Sequence, residues 1–124
     1  MHRSRLQVVL IDTPPDVAEA EIAFWAAALG HEPRPEAGTP FTEIAPFGTG
    51  QVLAHQRLQE GGSRIHLDVE TDDPGAEVGR LEQLGAVRVG SSDGSVQLRD
   101  PAGLIFCVVP VQSDDFDQHA TTWG

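Results

Sequence analysis

Few side chains in this chain of 124 residues are of a type and spacing suited to chemistry. His66 and Asp68 stand two apart in Ile65-His66-Leu67-Asp68-Val69, so on a strand they share one face. An imidazole there can ligate a metal, act as a general base or hold a ligand by a hydrogen bond. Cys107, the sole cysteine, is a nucleophile if His66 faces it. Without a basic cluster beside it, a free cysteine more often packs as a small hydrophobe. Glu43 and Asp68 become an acid/base pair if burial separates their pKa values.

These residues sit on elements that the chain builds twice. Leu6–Asp12 reads as a strand, followed by Thr13-Pro14-Pro15-Asp16 and a helical pattern ending at Leu29-Gly30. Ile65–Glu70 repeats it, followed by Thr71-Asp72-Asp73-Pro74 and a helical pattern ending at Leu84-Gly85. The acids ending the two strands, Asp12 and Glu70, are 58 positions apart, which points to two copies of one supersecondary unit. Asp16 and Asp73 are the expected helix caps, with Pro74 at the first helical position and Gly30 and Gly85 as terminators. Ala18, Ile22, Trp25 and Leu29 fall on one helix face, as do Val78, Leu81 and Leu84. After each helix come a short edge segment (His31–Pro35, then Val87–Val89) and a hairpin. The hairpins are Phe41–Ala45 with Gln51–Leu58, and Ser95–Arg99 with Leu104–Val109. Each copy therefore reads β-α-β-β-β, and 59–63 is a flexible joint.

Composition removes whole classes of partner. Nineteen acids face eight bases, all arginine, for a formal net charge of −11. A nucleic-acid or anionic membrane surface would be repelled. No apolar run approaches the roughly 18 residues that span a bilayer. The opening residues run straight into a strand pattern, and one cysteine makes no internal disulfide, so a reducing cytoplasmic setting is expected.

The ordered set resembles the vicinal oxygen chelate superfamily of glyoxalases, bleomycin-resistance proteins and dioxygenases. Its carriers are the acid-Pro turn into Ala23-Phe24-Trp25 and Leu29-Gly30, the strand Ile65–Val69, and Asp100-Pro101-Ala102-Gly103 leading into Leu104–Val109. The phrases Ala23-Phe24-Trp25-Ala26-Ala27 and Phe106-Cys107-Val108-Val109-Pro110 are nearer the glyoxalase-like subgroup. The resemblance spans about Leu6 to Pro110. It implies an α+β fold of two tandem βαβββ modules, about 5–58 and 64–111, whose mixed sheets form a concave cleft, with 112–124 as a tail. It also implies pairing into a homodimer.

In that superfamily a divalent metal is often held by one residue from the first and last strand of each module. Those positions here are Val8, Ala54, His66 and Cys107. Two carry no donor atom, so no cofactor is expected, and His66 and Cys107 are left as weak metal candidates. Alternation then lines the expected cleft with Phe41, Glu43, Gln56, His66, Asp68, Gln97, Arg99 and Cys107, while Ile65, Leu67 and Val69 face the helix. Trp123 is the expected anchor of a tail that folds over the cleft or a partner subunit. The expected function is capture of a small organic molecule without a catalytic metal. The alternatives are a metal-dependent glyoxalase-type lyase, isomerase or dioxygenase using His66 and Cys107, and an assembly protein with a vestigial cleft.

Overall fold

The computed structural model describes residues 1–124 and divides into two compact units, Val8–Ile65 and Met1–Gln7 with His66–Gly124. The first strand, β1 (His2–Thr13), is longer than its apolar run suggests and contributes to both. In the Val8–Ile65 unit it is followed by α1 (Pro15–Leu29), β2 (Arg34–Pro35), β3 (Phe41–Phe47) and β4 (Gln51–Arg57), in sheet order β2-β3-β4-β1. β4 runs parallel to β1 with Val8 opposite Val52 and Leu10 opposite Ala54. β3 is antiparallel to β4, with a bulge between Glu43 and Ala45. β2 is two residues at the edge, where Pro33 and Pro35 confine it.

Helix α1 begins differently from its sequence signal. Pro14 holds the cap position with no side-chain hydrogen bond, and Asp16 lies inside the first turn. Pro15 at the first helical position has no N–H to satisfy, so a capping carboxylate has less to do, and Asp16 meets the helix dipole instead. Gly30 ends the helix at φ 76°, a left-handed conformation that glycine adopts without penalty. The face that packs is Ala18 and Ala26, which lets α1 lie close on Ile44 and Ala45 beside Trp25 and Leu53. Leu29, expected on that face, is exposed.

The other unit holds β5 (Arg64–Thr71) from His66 onward, α2 (Pro74–Gln83), β6 (Val87–Ser92), β7 (Ser95–Arg99) and β8 (Ile105–Pro110), in order β5-β8-β7-β6. The α+β pattern of two βαβββ modules is thus present. Asp73 caps α2 by accepting from the Ala76 N–H at 3.1 Å. β6 extends past Val89 to Ser92 because Asp93 and Gly94 both take positive φ, the two-residue turn that suits a tight hairpin. Val78 on α2 packs on Leu98 and Val108, the core of this unit. The ten-residue helix lies over β6, β7 and β8, so Ile65 and Leu67, expected beneath it, are exposed, and so is Leu84 at its end. No helix is long and apolar enough to cross a membrane.

Two fully buried acids hold this unit together. Glu70 closes β5 and accepts from the Arg5 Nε at 2.7 Å, the Gln112 N–H at 2.8 Å and the Ser113 N–H at 3.0 Å, with the Ser113 hydroxyl as a further donor. Burial alone would raise its pKa, but the donors from Ser113, Gln112 and Arg5 prevail and hold it below the usual carboxylate range. Glu77 on α2 takes the Arg80 Nε at 2.8 Å and Nη2 at 2.9 Å, and pairs with His2 Nε2 at 2.8 Å. Burial again opposes ionisation, yet Arg80, Ser4 and His2 bring Glu77 down to about 2.

A depressed folded-state pKa stabilises the protein above the unfolded value and loses that contribution as pH falls through the folded one. For Glu77 the window runs from about 4.5 down to about 2. Glu77→Gln should cost about 2 kcal/mol at pH 7, the loss of hydrogen bonds to a charged group. Its urea midpoint should change less than wild type across that window. An equal pH dependence in the two proteins would show that Glu77 is not the titrating group.

Candidate functional site

The register of three strands assembles the densest group of chemically able side chains. Asp68 on β5 lies opposite Cys107 on β8, which lies opposite Gln97 on β7, so the three form one row on one face of the sheet. His66, two residues before Asp68, shares that face. Donor atoms of His66, Asp68 and Cys107 all lie within 4.8 Å of one another. His66 is 7% exposed, and its Nε2 is 3.4 Å from Asp68 Oδ1. That carboxylate oxygen is sealed from solvent and has no hydrogen-bond partner. Gln97 and Arg99 are exposed, and Arg99 Nη1 donates to the Gly103 carbonyl at 3.0 Å.

In the Val8–Ile65 unit, the expected residues Phe41, Glu43 and Gln56 also come together. Glu43 is opposite Ala54, and Phe41 is opposite Gln56, which is in turn opposite Asp12. Phe41 packs on a buried apolar group of Val8, Leu10 and Ala54. The positions that resemblance assigns to metal ligands in this unit are therefore part of a hydrocarbon cluster. At the other two, His66 and Cys107, a third donor joins them. Asp68 was legible as a neighbour of His66 through strand alternation, but its place in a three-donor cluster depends on the β5–β8 register.

Trp123 is not part of this group. It lies on β9 (Thr121–Trp123), which pairs antiparallel with the start of β1, and its indole N–H donates to Ser4 Oγ at 2.9 Å. The Arg80 guanidinium stacks 3.7 Å from the centre of its ring. Ahead of it, α3 (Phe116–His119) buries Phe116 to 3% exposure. The tail is an integral part of the Met1–Gln7 and His66–Gly124 unit, docked on β1 and α2 by these contacts. His55 on β4 is fully buried.

A family model described as a glyoxalase-like domain matches residues 8–109. No curated protein matches. Among solved structures, a Mn(II)-bound glyoxalase from Novosphingobium aromaticivorans aligns with a TM-score of 0.63 at 22% identity, over 91% of this chain and 41% of that one. This chain thus spans well under half of that glyoxalase. A glyoxalase/bleomycin resistance protein/dioxygenase superfamily member from Vibrio splendidus 12B01 aligns at 0.54 and 15% identity, over 86% of this chain and all of that one. Methylmalonyl-CoA epimerase from Mycobacterium tuberculosis aligns at 0.53 and 16%, over 86% and 87%. At these identities the likenesses concern the fold.

Removing residues 112–124 takes away the Glu70 donors of Gln112 and Ser113, buried Phe116 and the Trp123–Arg80 stack. Burial of one such aromatic side chain is worth about 1.5–3 kcal/mol. Truncation should therefore lower unfolding free energy in urea by at least that much. An unchanged midpoint would show that the tail is frayed.

Proposed function

The chain belongs to the glyoxalase-like domain family, and from that premise we propose that it binds a small organic molecule on the β5–β8–β7 face that carries His66, Asp68, Cys107 and Gln97. The supporting observation is the convergence of an imidazole, a thiol and the buried Asp68 carboxylate, whose Oδ1 has only the 3.4 Å contact with His66 Nε2 and no hydrogen bond. A carboxylate answered by one long contact is under-satisfied, and a ligand O–H or N–H would add the hydrogen bond it lacks. In this reading Asp68 accepts from the ligand, His66 supplies a second polar contact, Gln97 orients it through its amide, and Cys107 offers a polarisable wall.

The same cluster favours a second reading, a divalent cation. One imidazole nitrogen, one carboxylate oxygen and one thiolate are a plausible three-ligand set for zinc with a position left for water or substrate. The sulfur donor suits zinc better than magnesium or manganese. A cation there would supply Lewis acidity. Against it, the family positions Val8 and Ala54 have no donor, so the cation would depend on residues of one unit.

Protein-observed NMR with single-ring polar fragments tests the first reading. Binders should shift His66, Asp68, Cys107 and Gln97, and Asp68→Ala should weaken them at least tenfold. Binders that leave those residues unmoved would overturn it. Near-stoichiometric zinc in metal-loaded protein, lost in His66→Ala and in Cys107→Ser, would establish the second reading.

A further inference from the structure

Within the Val8–Ile65 unit, an open pocket of about 610 Å³ is bordered by the 38–40 loop, the end of β4 and the 59–63 joint. That volume is in the range of small-molecule sites. Backbone hydrogen bonds fix its walls. The Arg57 N–H donates to the Pro40 carbonyl at 2.9 Å, and the Leu58 N–H donates to the Thr13 carbonyl at 2.8 Å. In the loop itself, the Thr39 hydroxyl donates to the Glu36 carbonyl at 2.9 Å and accepts from the Phe41 N–H at 3.2 Å. The pocket is therefore shaped before anything enters it.

Its lining is rich in donors. Arg57, Arg64, Gln56 and Gln59 border it, and Glu60 is its one acid. Arg57 is exposed and makes no ion pair, although the chain has nineteen acids to eight bases. Arg64 gives only its Nε to a protein acceptor, Asp12 Oδ2 at 3.2 Å, and its side chain is 49% exposed, which leaves both Nη groups over. A guanidinium grips a carboxylate or phosphate through two parallel N–H···O bonds, and two glutamine amides add neutral donors beside it. Asp12 and Glu60 offset part of the positive charge, so selectivity rests on hydrogen-bond geometry more than on a strong field. A cation would find one carboxylate in the lining against two guanidinium groups. We propose that this pocket is a separate binding site for a small organic oxyanion, a carboxylate or a phosphate, gripped by Arg57 and Arg64 with Gln56 as a further donor.

The test uses the intact chain, ¹⁵N-labelled, with succinate, inorganic phosphate and neutral succinamide as probes. Succinate or phosphate should move the Arg57 and Arg64 Nε–H resonances with millimolar Kd, and succinamide should bind about tenfold more weakly. The tighter of the two anions identifies the source as carboxylate or phosphate. Arg57→Gln should weaken the anion about fivefold, and Arg57→Lys, which keeps the charge but loses the fork, should restore only part of that. Glu60→Gln removes the one acid of the lining and should tighten the anion about threefold. Arg57 and Glu60 are both exposed, so these substitutions leave the fold intact. Equal affinity for succinate and succinamide, equal shifts at Arg34 and Arg88 outside the pocket, or an affinity indifferent to Arg57→Gln or Glu60→Gln would overturn the proposal. None of these outcomes bears on the His66 cluster, whose binders are read at His66, Asp68, Cys107 and Gln97.

Discussion

A saturated carboxylate at the end of β5 fixes the structure around the candidate site. Glu70 is fully buried, and its two oxygens take donors from Arg5 on β1 and from Gln112 and Ser113 just beyond β8. Arg5 extends the network to Asp115 at 2.7 Å, next to the start of α3. A single side chain thus ties β1, β5 and the tail to one point. Removing water from such a charge is costly unless every lone pair is answered, and here the answers come from groups 42 to 65 positions away in sequence. The arrangement has an echo in the other unit, where the strand-ending Asp12 is also fully buried and accepts from Arg64 Nε at 3.2 Å.

Asp68 differs from Glu70 and Glu77, whose carboxylates are each answered by several donors. It lies two residues before Glu70 on the same strand, and its Oδ1 is just as closed to solvent, yet its one approach is the 3.4 Å contact with His66 Nε2, with no hydrogen bond closed on it. The fold supplies several donors to Glu70 and three to Glu77 from Arg80 and His2, but only the long His66 contact to Asp68 Oδ1. Binding sites are where such costs persist, because the missing partner arrives with the ligand or cation. The Asp68–Cys107–Gln97 row is held in place by the strand that Glu70 anchors, so the rigid part of the structure and its unsatisfied part are adjacent.

Much of this was legible in the sequence where local chemistry decides it. The Asp73-Pro74 start of α2, the Gly30 end of α1 and the 58-residue repeat of strand-ending acids all correspond to observed features. Alternation correctly grouped His66 with Asp68. What escaped depends on pairing across the chain. Nothing near Glu70 announces Arg5, and nothing near Cys107 announces Asp68 as its row partner. The two-proline start of α1 displaced Asp16 from the cap, and the Asp93-Gly94 turn carried β6 three residues further than its apolar content suggested. The tail looked polar, but Phe116 and Trp123 are held by cations, Arg3 with its Cζ 5.2 Å from the Phe116 ring centre and Arg80 over Trp123. Their partners are again far away in sequence.

The most direct test of this division between structural and functional acids compares unfolding free energies of ligand-free Glu70→Ala and Asp68→Ala at neutral pH. Glu70→Ala strands the Arg5 guanidinium and two backbone donors in a buried network, and should cost about 3–5 kcal/mol. Asp68→Ala removes a carboxylate whose buried Oδ1 has only a long contact with His66, and should leave stability within about 0.5 kcal/mol of wild type or raise it. Comparable losses in both would contradict the distinction, making Asp68 another fold-holding acid and removing the physical basis for a ligand beside it.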